Sequence, residues 1–438
     1  MSPGQAVLVG FAATILLGTA LLMLPAAHHG PGRAGFVQAL FTATSASSVT
    51  GLTVVDTGSY WSGFGQVIIL LLIQVGGFGI LSAGALLVLA TGGRIGLRTR
   101  MLAQTESNAL TLQDLRRVLA RIAVVTFGVE LLITFALFGR LLFGHDYAFG
   151  DAAWFGLFHG VSAFYGAGFS LWGDSLMRFA EDAAIIVPVG VGVIIGGLGF
   201  PVLLELWRNH RRPSRWSLHT KLTLAGTVLL LLGGMVVFAV IEWENGATLG
   251  ALDLHGKIMS SWFQSLTTRS AGFNTIDIGE MREESWVVAN MLMFIGGGSG
   301  STAGGIKVVT FIVLVLIVIT EARGGRQAEA FGRTIPSATL RQALSVTFIA
   351  GNTVAVATLT LMALTPFSFE QCLFEVISAF SIVGLSTGIT PSLPESAQLL
   401  LTALMYVGRV GPLTLVLALA LREHQRMYDY PEEAPIIG

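Results

Sequence analysis

The sequence predicts an all-α polytopic membrane protein made of four helix–loop–helix repeats. Three observations predict it. Of the 438 residues, 53% are hydrophobic and 12% are charged, roughly half the charge of a soluble domain. Several apolar runs reach the roughly 20 residues that span a bilayer as a helix. One short pattern, a glycine followed by Leu or Phe, returns four times at intervals of roughly a hundred residues. It stands at Gly51-Leu52, Gly168-Phe169, Gly272-Phe273 and Gly384-Leu385.

Each copy falls between two apolar segments. In the first repeat, residues 1–93, an outer helix is expected near 6–26, a short pore helix near 36–47 and an inner helix near 66–91. The first apolar run lacks a basic start and exceeds the apolar length of a signal peptide, so it reads as a retained helix. The second repeat, 94–212, gives 119–143, 152–164 and 183–207 in the same order. The third, 213–325, gives 219–242, 254–268 and a long inner segment, 286–320. The fourth, 326–438, gives 341–364, 369–381 and 397–421, then a tail. Eight spanning segments and four re-entrant loops result.

The loops carry the chemistry. Ten residues before each glycine stands an aromatic: Phe41, Phe158, Trp262 and Phe374. Six before it stands Ser45, Ser162 or Ser378, with Leu266 as the exception. Irregular backbone at membrane depth is tolerated only inside protein or beside water. Four turns with one shared offset therefore imply a pseudo-fourfold pore in one chain, each repeat supplying a quarter. Backbone carbonyls in such a ring can replace an ion's hydration shell. The candidate ion-binding residues are Val49, Thr50 and Gly51; Gly166, Ala167 and Gly168; Ser270, Ala271 and Gly272; and Ile382, Val383 and Gly384. Arg269, three residues before Gly272, is expected behind the ring, donating to loop carbonyls.

Basic residues sort the two sides. Arg94, Arg98, Arg100, Arg116, Arg117 and Arg121 join the first repeat to the second; Arg208, Arg211, Arg212, Arg215 and Lys221 join the second to the third. Arg323, Arg326, Arg333 and Arg341 follow, then Arg422 and Arg426. The positive-inside rule places these connections and both termini in the cytoplasm of a multi-pass cytoplasmic-membrane protein. The glycine loops then face outward among acids such as Asp56, Asp174 and Asp277. The single Cys372 excludes an internal disulfide and a cysteine metal site. Neither a paired-carboxylate site nor a Ser/His/Asp set is embedded in the membrane, so the chain reads as a non-enzyme with no covalently bound cofactor. Its surroundings are membrane lipid rather than nucleic acid. His159 is expected at the start of a short helix, in a structural role.

A second unusual stretch interrupts the third inner segment: Gly296-Gly297-Gly298-Ser299-Gly300-Ser301-Thr302-Ala303-Gly304-Gly305. It is not a phosphate-binding loop, because Ile306 separates Gly305 from Lys307 and no soluble strand precedes it. Each interior glycine costs a helix about 1 kcal/mol, so the run unwinds, and it reads as a gate below the ring. Arg409 lies mid-helix, level with Gly76, Gly196 and Gly296 of the other inner segments. Buried charges mark pathways or pairs. Arg409 is expected to face the cavity as a barrier to cations, the alternative being a pair with Glu130; Lys307 is a further gate candidate.

Together these residues resemble the Trk/Ktr/HKT superfamily of potassium transporters, in particular its Ktr-type membrane subunits. The resemblance spans nearly the whole chain. It rests on Leu22-Met23-Leu24-Pro25, the four loops, Thr268-Arg269-Ser270-Ala271-Gly272-Phe273-Asn274, the broken third inner segment and Gly408-Arg409. The family implies a K⁺ filter with glycine in every loop, matched by Gly51, Gly168, Gly272 and Gly384, with K⁺ the only metal ion, held at the filter residues. It implies a homodimer with one pore per chain on a cytosolic, KtrA-like ring of regulatory subunits, which would bind the nucleotide (ATP or ADP). Two alternatives stay open: a Na⁺-conducting or weakly selective relative on the same fold, and an alternating-access secondary transporter.

Overall fold

The chain opens with the apolar helix α1 (Pro3–Leu22), and a turn leads back into the short helix α2 (Phe36–Ser48). The structure is a computed structural model that describes residues 3–30, 32–92, 112–325 and 327–421. Beyond α2 come the loop at Gly51 and the long helix α3 (Gly63–Gly92). The same order recurs as α4 (Leu112–Gly144), α5 (Phe149–Tyr165), α6 (Ala183–Leu198) and α7 (Phe200–Asn209). It recurs again as α8 (Leu218–Glu242), α9 (Leu254–Thr267), α10 (Glu283–Phe294) and α11 (Val308–Ala322). The last set is α12 (Ser337–Leu364), α13 (Phe369–Ser381) and α14 (Glu395–Leu421). A small hairpin, Glu329–Ala330 with Arg333–Thr334, joins α11 to α12.

Local sequence explains where these helices start. Ser368 and Gln371 close a reciprocal capping box at α13. The Asp253 carboxylate accepts the Gly256 N–H at 2.6 Å to begin α9, and Ser217 caps α8 through the Thr220 N–H. Three short helices end in a left-handed residue: Val49 (φ 60°), Gly166 (φ 67°) and Ile382 (φ 57°). The reversal folds the next N–H back onto the helix: Thr50 donates to the Ser45 carbonyl at 2.8 Å, Ala167 to Ser162 at 2.7 Å and Val383 to Ser378 at 2.9 Å. For branched Val49 and Ile382 that conformation costs roughly 1–2 kcal/mol each.

Segments Gly63–Ser82, Arg117–Gly144, Leu218–Glu242 and Ser337–Leu364 are long and apolar enough to cross a bilayer, and the bent pair α6–α7 makes a fifth if counted as one span. Outer helices present apolar side chains outward, with Leu132 at 72% exposure and Val240 at 74%. Lipid solvates such surface, and the chain is a multi-pass membrane protein.

The structure departs from the sequence reading at the second inner segment. It is not continuous over 183–207: α6 stops at Leu198, Gly199 takes φ 88°, and α7 leaves at 98°. Gly199 supplies the non-helical turn, and Pro201 has no N–H to carry the ladder onward. The break in the third inner segment is also longer than the glycine run, from Ile295 to Lys307. Helix α5 begins at Phe149, so His159 sits well inside it rather than at its start.

Candidate functional site

The four glycine loops close on one another in cyclic order. A Cβ on Gly51 would collide with the Ala167 carbonyl oxygen of the second loop. One on Gly168 would stand 2.9 Å from the Ala271 oxygen of the third, and one on Gly272 2.9 Å from the Val383 oxygen of the fourth. One on Gly384 would collide with the Thr50 oxygen of the first. Each glycine thus leaves the gap that its neighbour's carbonyl enters. All four have positive φ: 95°, 68°, 73° and 90°. Two residues earlier Val49, Gly166, Ser270 and Ile382 are left-handed too, whereas Thr50, Ala167, Ala271 and Val383 between them are not. The twelve residues singled out in the sequence therefore come together with one shared backbone course.

The serines found six residues before the glycines have roles. Ser45 and Ser378 accept the N–H groups of Gly51 and Gly384, each at 3.1 Å. Ser162 donates instead to the Phe169 carbonyl at 2.9 Å. In the third repeat, where Leu266 breaks the pattern, Thr267 one residue later donates to Phe273 at 2.5 Å. The Ser270 hydroxyl ties the third loop to the fourth by donating to Ile382 at 2.6 Å. That carbonyl keeps one lone pair.

Two buried residues hold the outer arms: Glu375, which sequence reasoning missed, and His159, for which it expected a structural role without naming what it would hold. Each follows one of the offset aromatics. His159 meets the Ser170 hydroxyl at 3.1 Å and accepts the Leu171 N–H at 3.3 Å. Glu375, fully buried, accepts from Ser386 at 2.5 Å, the Thr387 N–H at 3.1 Å and Thr390 at 2.8 Å. Both grip the residues two and three beyond the loop glycine. The signal was available, as two titratable residues at one offset. Arg269 is buried as expected, but its Nε and Nη1 meet no acceptor among the described residues, so the expected grip on loop carbonyls does not form through them.

Outside the ring lies a vestibule of about 200 Å³ that reaches all four glycines and is also lined by Asp56 and Asp277. Other acids of this side are engaged elsewhere: Asp174 with Arg178, Asp182 with Arg140 and His145.

On the opposite side lies the glycine-rich run. Its base is pinned by Gly296 N–H to Ile306 at 2.9 Å and Ile306 N–H to Phe294 at 3.0 Å. A Cβ on Gly304 would collide with the Ser381 carbonyl and stand 2.8 Å from the Ile382 side chain. The run therefore packs directly against the fourth loop. Two cations hold it by its backbone: Arg409 Nη1 donates to the Thr302 carbonyl, and Lys307 Nζ to Ala303 at 2.5 Å. The alternative pair with Glu130 does not form. That acid lies on α4 and accepts from Gln74 of α3 at 3.2 Å, whereas Arg409 stands on α14. Arg409 binds the run itself rather than standing free in a cavity. Its Nε and Nη2 find no acceptor among the described residues.

The cation transport protein family TrkH matches residues 8–430. Ktr system potassium uptake protein B of Bacillus subtilis is 40% identical over all of this chain and 97% of its own length. The potassium/sodium uptake protein NtpJ of Enterococcus hirae is 36% identical, over all of this chain and 98% of its own. The crystal structure of the potassium transporter TrkH from Vibrio parahaemolyticus superposes with a TM-score of 0.78 over 97% of this chain and 86% of that one, at 17% identity, which speaks to the fold. With its near full-length match and four closed glycine loops, this chain belongs to the TrkH family of cation transport proteins.

Proposed function

We propose that this chain carries K⁺ into the cell across the cytoplasmic membrane, through a filter formed by the four glycine loops. The observation that carries this reading is the cyclic closure, each glycine facing the carbonyl before the next one. Where left-handed and other residues alternate, successive carbonyls turn to one side, unlike the alternation of an extended strand, and can line a single path. Short helices α2, α5, α9 and α13 all end at the loops. Their negative dipole ends, about half a charge each, favour a dehydrated cation at the centre. Asp56 and Asp277 at the vestibule raise the local cation concentration. The names of the relatives, potassium uptake proteins, agree with K⁺ as cargo.

The run from Gly296 to Gly305 is the gate in this reading, with Lys307 and Arg409 as its latches. In the arrangement described it sits against the fourth loop, and the two cations fix it there. Their charge also opposes a queue of K⁺, so conduction requires both to release their carbonyls. Further parts of the proposal are a homodimer, cytoplasmic termini, the division into four repeats and a cytosolic nucleotide-binding ring that drives the release.

Flux into liposomes of purified protein tests the reading, with K⁺, Rb⁺ and Na⁺ compared. Uptake of K⁺ and Rb⁺ well above Na⁺ is expected. Equal Na⁺ uptake would replace it by the weakly selective alternative, which the potassium/sodium relative keeps in view.

A further inference from the structure

Helix α7 runs across the direction of α6 and is amphipathic. Phe200 and Val202 are buried; Trp207, at 64% exposure, and Arg208 are not. Arg211, Arg212 and Arg215 just beyond it are exposed as well. Among the described residues no carboxylate pairs with these four arginines. The nearby acid, Glu205, is taken up by Ser217, whose N–H and hydroxyl donate at 2.8 and 2.7 Å, and by the Thr220 hydroxyl. With α6 set along the bilayer normal, its 98° turn would lay α7 near the plane of the membrane surface. A helix in that plane, with apolar residues inward, Trp at its boundary and Arg outside, has the build of an interfacial anchor.

The same elbow is bonded to the gating run by backbone alone. Gly298 N–H donates to Gly197 at 2.8 Å, Thr302 N–H to Gly196 at 3.4 Å, and Phe200 N–H to Gly300 at 3.2 Å. A Cβ on Gly199 would stand 2.6 Å from the Ser299 oxygen. Because α6 stops here, its last carbonyls lack helical donors, and the run supplies them. A shift of α7 thus reaches the run with no side chain between.

We propose that Arg208, Arg211, Arg212 and Arg215 bind the phosphate groups of anionic phospholipids in the cytoplasmic leaflet, and that this contact sets the elbow and, through it, the gating run. Arginine suits the site because its planar fork engages phosphate through paired hydrogen bonds. Four cations without a carboxylate partner among the described residues, one on α7 and three just beyond it, match a negatively charged leaflet. The gating half rests on the function proposed above; the lipid-binding half does not.

The test compares the wild-type chain with a variant carrying Arg208→Gln, Arg211→Gln, Arg212→Gln and Arg215→Gln, and with Arg333→Gln as a basic control on the same side. Binding of spin-labelled phosphatidylglycerol and phosphatidylcholine is read in detergent, alongside elution volume and thermal midpoint to show that each protein is folded. Wild type and control prefer phosphatidylglycerol, and the fourfold variant loses that preference by at least roughly tenfold. K⁺ flux is then read in vesicles of phosphatidylcholine alone or mixed equally with phosphatidylglycerol. Wild-type flux changes several-fold between the two and that of the variant does not. A folded fourfold variant that retains the lipid preference overturns the site. A variant that keeps the preference but no longer co-purifies with a regulatory ring assigns the cluster to a protein partner instead. Wild-type flux indifferent to lipid overturns the gating half. Lipid preference without K⁺ flux in any membrane defeats the transport reading and supports the lipid site.

Discussion

Gly51 shows at the residue scale why the ring tolerates so little. Its positive φ strains any side chain, and a Cβ there would displace the Ala167 carbonyl of the ring. Gly51→Ser is expected to keep the fold but reduce K⁺ preference over Na⁺ by at least roughly tenfold, about 1.4 kcal/mol, in competing-ion flux. Glu375 acts one layer out. Three donors converge on it, so Glu375→Ala leaves them without an acceptor, at about 2–4 kcal/mol. A lower thermal midpoint together with weakened K⁺ preference is expected; a lower midpoint alone would make the residue structural only. Asp182, at the outer start of α6, gives a pH dependence. Burial raises its carboxyl, but bonds from His145, Arg140 and the Ala184 N–H outweigh burial and hold it below the usual range. Its contribution is therefore complete above the unfolded value of about 3.9 and is lost as pH falls through the lower folded value. Thermal midpoints recorded down that range should fall more steeply for wild type than for Asp182→Asn.

The decisive element is the stretch from Ile295 to Lys307. A helix there would have filled its own hydrogen bonds; this stretch instead borrows from α6, α14 and its own base. Deleting residues 298–303 removes both latch acceptors and the bonds to α6, and is expected to raise basal K⁺ flux several-fold without loss of selectivity. Arg409→Ala should raise flux in the same direction, and Glu130→Gln should leave it unchanged, because Arg409 bonds to Thr302 and not to Glu130. Liposome flux on folded proteins checks all three. A deletion protein with wild-type flux would make the stretch a packing break.

At the scale of the whole molecule, docking of a cytosolic partner is assigned by the proposal to the basic connections and the tail. The tail, residues 428–438, and the basic residues 94, 98, 100, 326, 422 and 426 lie outside the described residues. Removing the tail is expected to weaken co-purification with a regulatory ring or the stability of a homodimer, read by mass in detergent. Unchanged mass and unchanged co-purification would remove the tail from the interface. An apolar cleft of about 810 Å³, lined by Phe294, Ile295 and Ile306 among others, flanks both ends of the glycine-rich run.

The sequence by itself determined the class of protein and the positions of its loops. Hydrophobic runs of bilayer length and a repeated glycine offset are local properties, readable without knowing which segment touches which. It also determined that residues 296–305 could not stay helical, since glycine propensity is a property of the chain. Only the tertiary structure decided what the freed groups do. That Gly51 faces the second loop and Gly384 the first is a fact of ring closure between residues far apart in sequence. That Arg409 grips Thr302 and leaves Glu130 to Gln74 depends on which helices are neighbours, and the sequence placed both options at similar depth. The bend at Gly199 stayed hidden for the same reason. An apolar run with one more glycine reads as a continuous helix until the carbonyls at its end find donors in another repeat.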